Sequence, residues 1–127
     1  MRGDGSRKLA VFADPDCPFC QQLEKELKDI DNVTIYTFLF PLKIHKDAYN
    51  KSVKVWCSAN RSQVWTTWMV DKAPIETGTC EQDVIQQNMK LGEDLKVVET
   101  PTMFLSNGQR IAGTLPRAQL EARLAAK

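Results

Sequence analysis

This chain has almost no surplus charge, no long apolar run and a single histidine. Its 17 lysines and arginines face 16 aspartates and glutamates, leaving a formal net charge of +1. A nucleic acid or an anionic membrane surface would require a basic excess or patch, so neither partner is expected. The apolar stretches are short and interrupted, and no segment reads as a bilayer span. The first six residues, Met1 to Ser6, are polar and lack the apolar core of a signal peptide. Repeats, low-complexity tracts and internal domain boundaries are also lacking. Residues 1–7 read as a linker or the remnant of a preceding segment, and residues 8–127 as one domain. At 43% hydrophobic and 26% charged residues, that domain is large enough to bury a real core.

Cysteine is scarce but arranged. The four residues form one close pair, Cys17 and Cys20, and one distant pair, Cys57 and Cys80. An even count with a separated second pair favours an oxidising compartment. The close pair, Cys17-Pro18-Phe19-Cys20, follows the apolar run Leu9-Ala10-Val11-Phe12. It precedes an amphipathic stretch with Leu23, Leu27 and Ile30 on one stripe. Two thiols at a strand-to-helix junction are set up for reversible dithiol–disulfide chemistry. The first meets the unpaired N–H groups and positive dipole end of the helix, which favour its thiolate. The second lies one turn further in, placed to resolve a mixed disulfide. A zinc knuckle and a structural disulfide are the competing readings; the β-α context favours the redox one.

The periodicity predicts a buried strand over Lys8 to Ala13 and a helix from Pro18 to about Asp29. Asp31 and Asn32 make a turn into a second strand, Val33 to Phe40, parallel to the first through a right-handed crossover. Pro41 ends it. A helical block of about fifty residues follows, an insertion at about 45–95. Its stripes are Tyr49, Val53, Trp56 and Cys57, then Val64, Trp65, Trp68 and Met69. Asn60 with Gln63 is expected to cap the second helix. Thr79 with Gln82 has capping-box spacing for a third, which carries Val84, Ile85 and Met89. Ala73 to Gly78 reads as a loop. Two short strands, Thr102 to Leu105 and Arg110 to Ala112, flank Asn107-Gly108, a hairpin signal expected to place both turn residues at positive φ. A last helix carries Leu120 and Leu124.

The order β-α-β, helical insertion, β-β-α is an α/β arrangement matching the thioredoxin fold. Thr100-Pro101, just before the third strand, sits where that fold keeps a cis-proline beside its active-site disulfide. At this point the chain resembles the catalytic domain of periplasmic disulfide isomerases of DsbC/DsbG type. The likeness runs from Leu9 to the C-terminus. It rests on Val11-Phe12-Ala13-Asp14 leading into the cysteine pair, Phe40-Pro41, Val55-Trp56-Cys57-Ser58, Cys80, Thr100-Pro101 and Leu105-Ser106-Asn107-Gly108.

The resemblance implies a thiol–disulfide oxidoreductase with Cys17 attacking and Cys20 resolving. It implies a substrate groove shaped by Thr100 and cis-Pro101; Phe19, an aromatic between the two cysteines, is expected to be exposed and to contact substrate there. No metal or organic cofactor is implied. Implied partners are misfolded or oxidised secreted proteins and a membrane reductase of DsbD type, in the periplasm. Family members dimerise through a separate N-terminal domain, which this sequence does not show, so the chain alone is expected to be monomeric. A monomeric dithiol oxidase or reductase, and a non-catalytic binding module, are the alternatives. The resemblance also makes Cys57–Cys80 a structural disulfide; a four-cysteine zinc site and a second redox pair stand beside it.

Other residues near the motif read more plainly. Asp14 and Asp16 flank Cys17, where a carboxylate would oppose its ionisation; Asp16 is expected to be the helix N-cap. Glu24 reads as part of a solvated helical face. His45 reads as a loop histidine. Trp56, Trp65 and Trp68 are expected in the core.

Overall fold

The structure is a computed structural model that describes residues 7–75 and 80–125. Residues 1–6 of the expected linker, the Thr79 half of the capping box and the second half of the loop ending at Gly78 lie outside the described residues.

Four strands form one mixed sheet in the order β2-β1-β3-β4. β1 (Arg7–Ala13) pairs in parallel with β2 (Val33–Leu39), from Arg7 opposite Val33 to Ala13 opposite Leu39. β3 (Thr102–Leu105) runs antiparallel to β1 and to β4 (Arg110–Ala112). Arg7 is thus part of β1, not of a linker. Its guanidinium pairs with Glu121 at 2.8 Å.

α1 (Pro18–Leu27) links the parallel strands and ends slightly earlier than expected, with the Lys28 N–H bonded to the Glu24 carbonyl. Asn32 takes the left-handed φ of 55° that turns the chain into β2. Between β2 and β3 lie α2 (Ala48–Trp56), α3 (Arg61–Asp71) and α4 (Val84–Asp94). The block is not continuous helix, since Ala73 to Ile75 and Cys80 to Asp83 are extended or irregular. α5 (Arg117–Ala125) closes the chain.

Strand alternation sorts the core into two layers. Leu9, Val11, Ala13 and Val33 meet Leu23 and Leu27 of α1, Trp65 and Met69 of α3, and Leu120 of α5. On the opposite face Phe12, Phe40 and Val97 pack with Phe38, Phe104 and Met89 of α4. The Phe12 ring stands edge-on to Phe38, Phe40 and Phe104 at centroid distances of 5.0, 5.7 and 5.8 Å, the geometry aromatic quadrupoles prefer. α4 comes this close because Gly92 has no Cβ; one would run into the Phe40 ring.

Two local expectations are corrected. Asn60 sits at the start of α3, but its side chain makes no cap bond. Its φ of −112° and ψ of 60° leave it outside the extended conformation typical of an N-cap side-chain bond. The β3–β4 hairpin also has a longer loop than an Asn-Gly two-residue turn. Gly108 N–H donates to the Leu105 carbonyl, and Leu105 N–H to the Gln109 carbonyl. Only Gly108, at φ 89°, is left-handed, and Asn107 is not. This is a turn closed by a glycine bulge; the Asn107 side chain instead accepts from the Gln109 N–H at 3.0 Å.

Candidate functional site

The cysteine pair sits where β1 ends and α1 begins. Cys17, not Asp16, is the N-cap of α1: its extended backbone (φ −85°, ψ 119°) lets Sγ accept the Cys20 N–H at 3.4 Å. Pro18 follows in the first turn, where a missing N–H costs nothing. Asp16 is occupied elsewhere, its Oδ1 held by Lys51 Nζ of α2 at 2.6 Å.

Both thiols are nearly inaccessible, at 4% and 1% exposed for Cys17 and Cys20. Hydrogen bonding sets one apart and desolvation the other. Hydrogen bonding from Cys20 pulls the Cys17 pKa down to about 6. Burial opposes this, while Thr100 and the N–H groups of Cys20 and Phe19 add to it. Cys20 is pushed far up, first by burial and then by Cys17 itself. At neutral pH one sulfur is therefore a thiolate and its neighbour a thiol, the asymmetry that stepwise exchange requires. Both are free in this structure.

The Thr100–Pro101 bond is cis. The Thr100 carbonyl lies 3.3 Å from Cys17 Sγ across 83 residues of sequence. Phe19, between the cysteines, is 65% exposed. Thr100 and Pro101 are themselves buried, so of these three side chains Phe19 is the one that meets solvent.

The loop before Cys17 is tied on every side. Trp68 Nε1 donates to the Pro15 carbonyl at 2.7 Å, and Gln21 Nε2 to the same oxygen at 3.1 Å. Asp14 is fully buried. Its Oδ1 accepts the Asp16 N–H at 2.7 Å; its Oδ2 accepts the Leu42 N–H at 2.6 Å and lies 2.9 Å from His45 Nδ1. His45 is therefore not a plain loop histidine, and Asp14 raises its pKa, chiefly by that hydrogen bond. Glu24 is likewise not solvated: it is 3% exposed and accepts Trp65 Nε1–H at 2.9 Å. Trp65 is in the core. Trp56 and Trp68 are half-buried, with Arg61 over the Trp56 ring at 3.6 Å and Lys51 over Trp68 at 4.7 Å. Asp14 could be marked from its place three residues before Cys17. Its partners Leu42 and His45 lie 28 and 31 residues away, and no local pattern signals them.

Cys57 and Cys80 form a disulfide with a Cα–Cα distance of 5.6 Å. A four-cysteine zinc site is thereby ruled out, since two of its ligands are bonded to each other. Among the described residues no cluster of His, Cys, Asp and Glu is arranged to hold a metal ion. A cleft of about 450 Å³ between β2, α2 and α3, lined by residues including Ile35, Trp56 and Arg61, is not lined by either free cysteine. No helix among the described residues is long and apolar enough to cross a membrane.

A split-pKa dithiol on a helix N-terminus, facing a cis-proline loop, defines a thioredoxin-fold domain of the thiol–disulfide exchange class. The chain belongs to the family of thioredoxin-like domains, whose model matches residues 1–127. It is similar to a probable thiol:disulfide interchange protein DsbC of Bordetella parapertussis, 44% identical over 124 residues that make up 98% of this chain and 44% of the relative. The thiol:disulfide interchange protein DsbC of Escherichia coli K12 is 27% identical over 116 residues, 89% of this chain and 48% of that protein. The crystal structure of a disulfide interchange protein from Neisseria gonorrhoeae matches with a TM-score of 0.93 at 38% identity, covering 98% of this chain and 89% of that one. These likenesses carry the DsbC-type resemblance drawn from the sequence. The chain spans about half the length of the curated relatives it matches.

Proposed function

We propose that the chain is the catalytic domain of a periplasmic protein disulfide isomerase, acting on misfolded or oxidised secreted proteins through Cys17 and Cys20. The observation that supports this most is the geometry of the pair, with Cys17 capping α1 and its Sγ accepting the Cys20 N–H at 3.4 Å, an arrangement that favours the Cys17 thiolate and keeps Cys20 neutral. The Cys17 thiolate attacks one sulfur of a substrate disulfide, forming a mixed disulfide and releasing the other sulfur as a thiolate. Two exits follow. A second substrate thiolate attacks the Cys17-bound substrate sulfur and expels Cys17; the pairing has changed and no electrons have been exchanged with the protein. Alternatively Cys20 gives up its proton to solvent and attacks Cys17 Sγ. The substrate then leaves reduced by two electrons, and the protein holds a Cys17–Cys20 disulfide.

In this reading Phe19, Thr100 and Pro101 border the substrate chain, and Cys57–Cys80 is structural. A DsbD-type membrane reductase returns the oxidised pair to the dithiol, and an N-terminal domain like that of the family joins two such catalytic domains. Reduction of insulin disulfides tests the chemistry. Wild-type turnover with loss to background in Cys17→Ser is expected; undiminished turnover in Cys17→Ser would refute the assignment. Recovery of scrambled ribonuclease separates isomerisation from simple reduction. The isolated domain is expected to reduce well and isomerise poorly, because holding a substrate for a second attack needs a second linked site.

A further inference from the structure

We propose that His45 is a positioning residue for the exchange reaction, acting through Asp14 to neutralise a buried negative charge beside the cysteine pair. The inference rests on the exchange chemistry proposed above. Asp14 is the hub of the site. Its carbonyl accepts the Cys17 N–H at 3.2 Å. Its own N–H points at Cys20 Sγ at 3.5 Å. Its carboxylate takes three contacts, from the Asp16 N–H, the Leu42 N–H and His45 Nδ1. One residue therefore contacts the Cys17 backbone and the Cys20 sulfur through its own backbone, and His45 through its side chain.

The Asp14 carboxylate is fully buried in the turn whose backbone is bonded to Cys17, and His45 feels both that carboxylate and the Cys17 sulfur as negative charges. Both acidic residues before Cys17 are matched by a cation from beyond β2: Asp16 by Lys51 at 2.6 Å, and Asp14 by His45 at 2.9 Å. Lysine keeps its charge across the working range, whereas histidine is the side chain that loses it near neutrality. The charges acting on the ring are Asp14, Asp16 and Cys17, all of the β1–α1 junction, and the balance between His45 and Asp14 is what changes with pH. Cys20 adds no charge while it stays a thiol, Lys51 already belongs to Asp16, and Lys46 and Asp47 adjoin His45 in sequence. Protonated His45 cancels the Asp14 charge and favours the Cys17 thiolate. Neutral His45 leaves that charge exposed to the sulfur.

The test compares His45→Asn and His45→Ala with wild type. Asparagine keeps an N–H donor near Nδ1 but never carries a charge. The readouts are thiolate absorbance near 240 nm in the reduced protein against pH, and insulin reduction at pH 6 and 8. Both variants should move the Cys17 midpoint to higher pH and lower the thiolate fraction at pH 6 by about threefold, with a smaller loss of rate at pH 8. A His45→Asn midpoint equal to wild type in a protein with native circular dichroism would overturn the proposal. Failure of the underlying chemistry looks different: wild type itself would then show no titrating thiolate and no insulin reduction.

Discussion

The two cysteine pairs differ less in composition than in what surrounds them. Cys17 and Cys20 are three residues apart, buried and unbonded; Cys57 and Cys80 are 23 apart in sequence and bonded. The first pair sits on a helix N-terminus beside a cis-proline loop, where one sulfur is stabilised as an anion and the other denied its charge. The second pair joins the end of α2, at Cys57, to the segment that leads into α4. Reactivity in this chain therefore follows the local field, hydrogen bonding and desolvation and not the number of thiols.

The largest expected contrast is kinetic. Iodoacetamide should label Cys17 of the reduced protein first, with a rate that rises through pH about 6, while Cys20 stays unlabelled well above neutrality. Mass spectrometry of early time points showing Cys20 modified first would reverse the assignment. The same ionisation has a consequence for stability. The folded-state value of Cys17 lies below its ordinary 9.0, so its contribution is complete above pH 9 and is lost as pH falls through about 6. Denaturant melts of the reduced protein across that window should show it.

The next contrast is between turnover and stability. Replacing Cys57 and Cys80 together by alanine should cost roughly 3 kcal/mol, the loop-closure estimate for a bridge of this span, and leave insulin reduction intact. Lost chemistry in a protein of unchanged melting temperature would make the second pair a redox relay instead. The smallest expected effect is at the seam between α1 and α3. Trp65→Phe removes the indole hydrogen bond to the buried Glu24 carboxylate. It should lower stability by about 1.5–3 kcal/mol with little change in Cys17 labelling. A large labelling change would tie Glu24 directly to the redox pair.

Much of the framework was readable from local pattern. The alternation in β1 and β2, the apolar stripe Leu23-Leu27 and the cysteine spacing report periodicities that the backbone imposes on any chain. The Thr100-Pro101 position followed from resemblance, not from spacing. The misreadings cluster around polar residues. Asp16 was expected as a cap, Glu24 as solvated and His45 as a loop histidine, and each proved to have a partner far away in sequence: Lys51, Trp65 and Asp14. The hairpin turn is a milder case, since Asn107-Gly108 marked its place but the bulge at Gly108 set its geometry.

The sequence by itself determined the element order and the location of the redox pair, because strand and helix periods and a two-residue cysteine spacing are properties of neighbouring residues. The same position already pointed to Cys17 as the ionising thiol, and only the tertiary structure decided how far Cys20 is denied its charge, which carboxylates are buried and what neutralises them. Those outcomes depend on desolvation and on hydrogen bonds between groups that the fold, not the chain order, brings within about 3 Å.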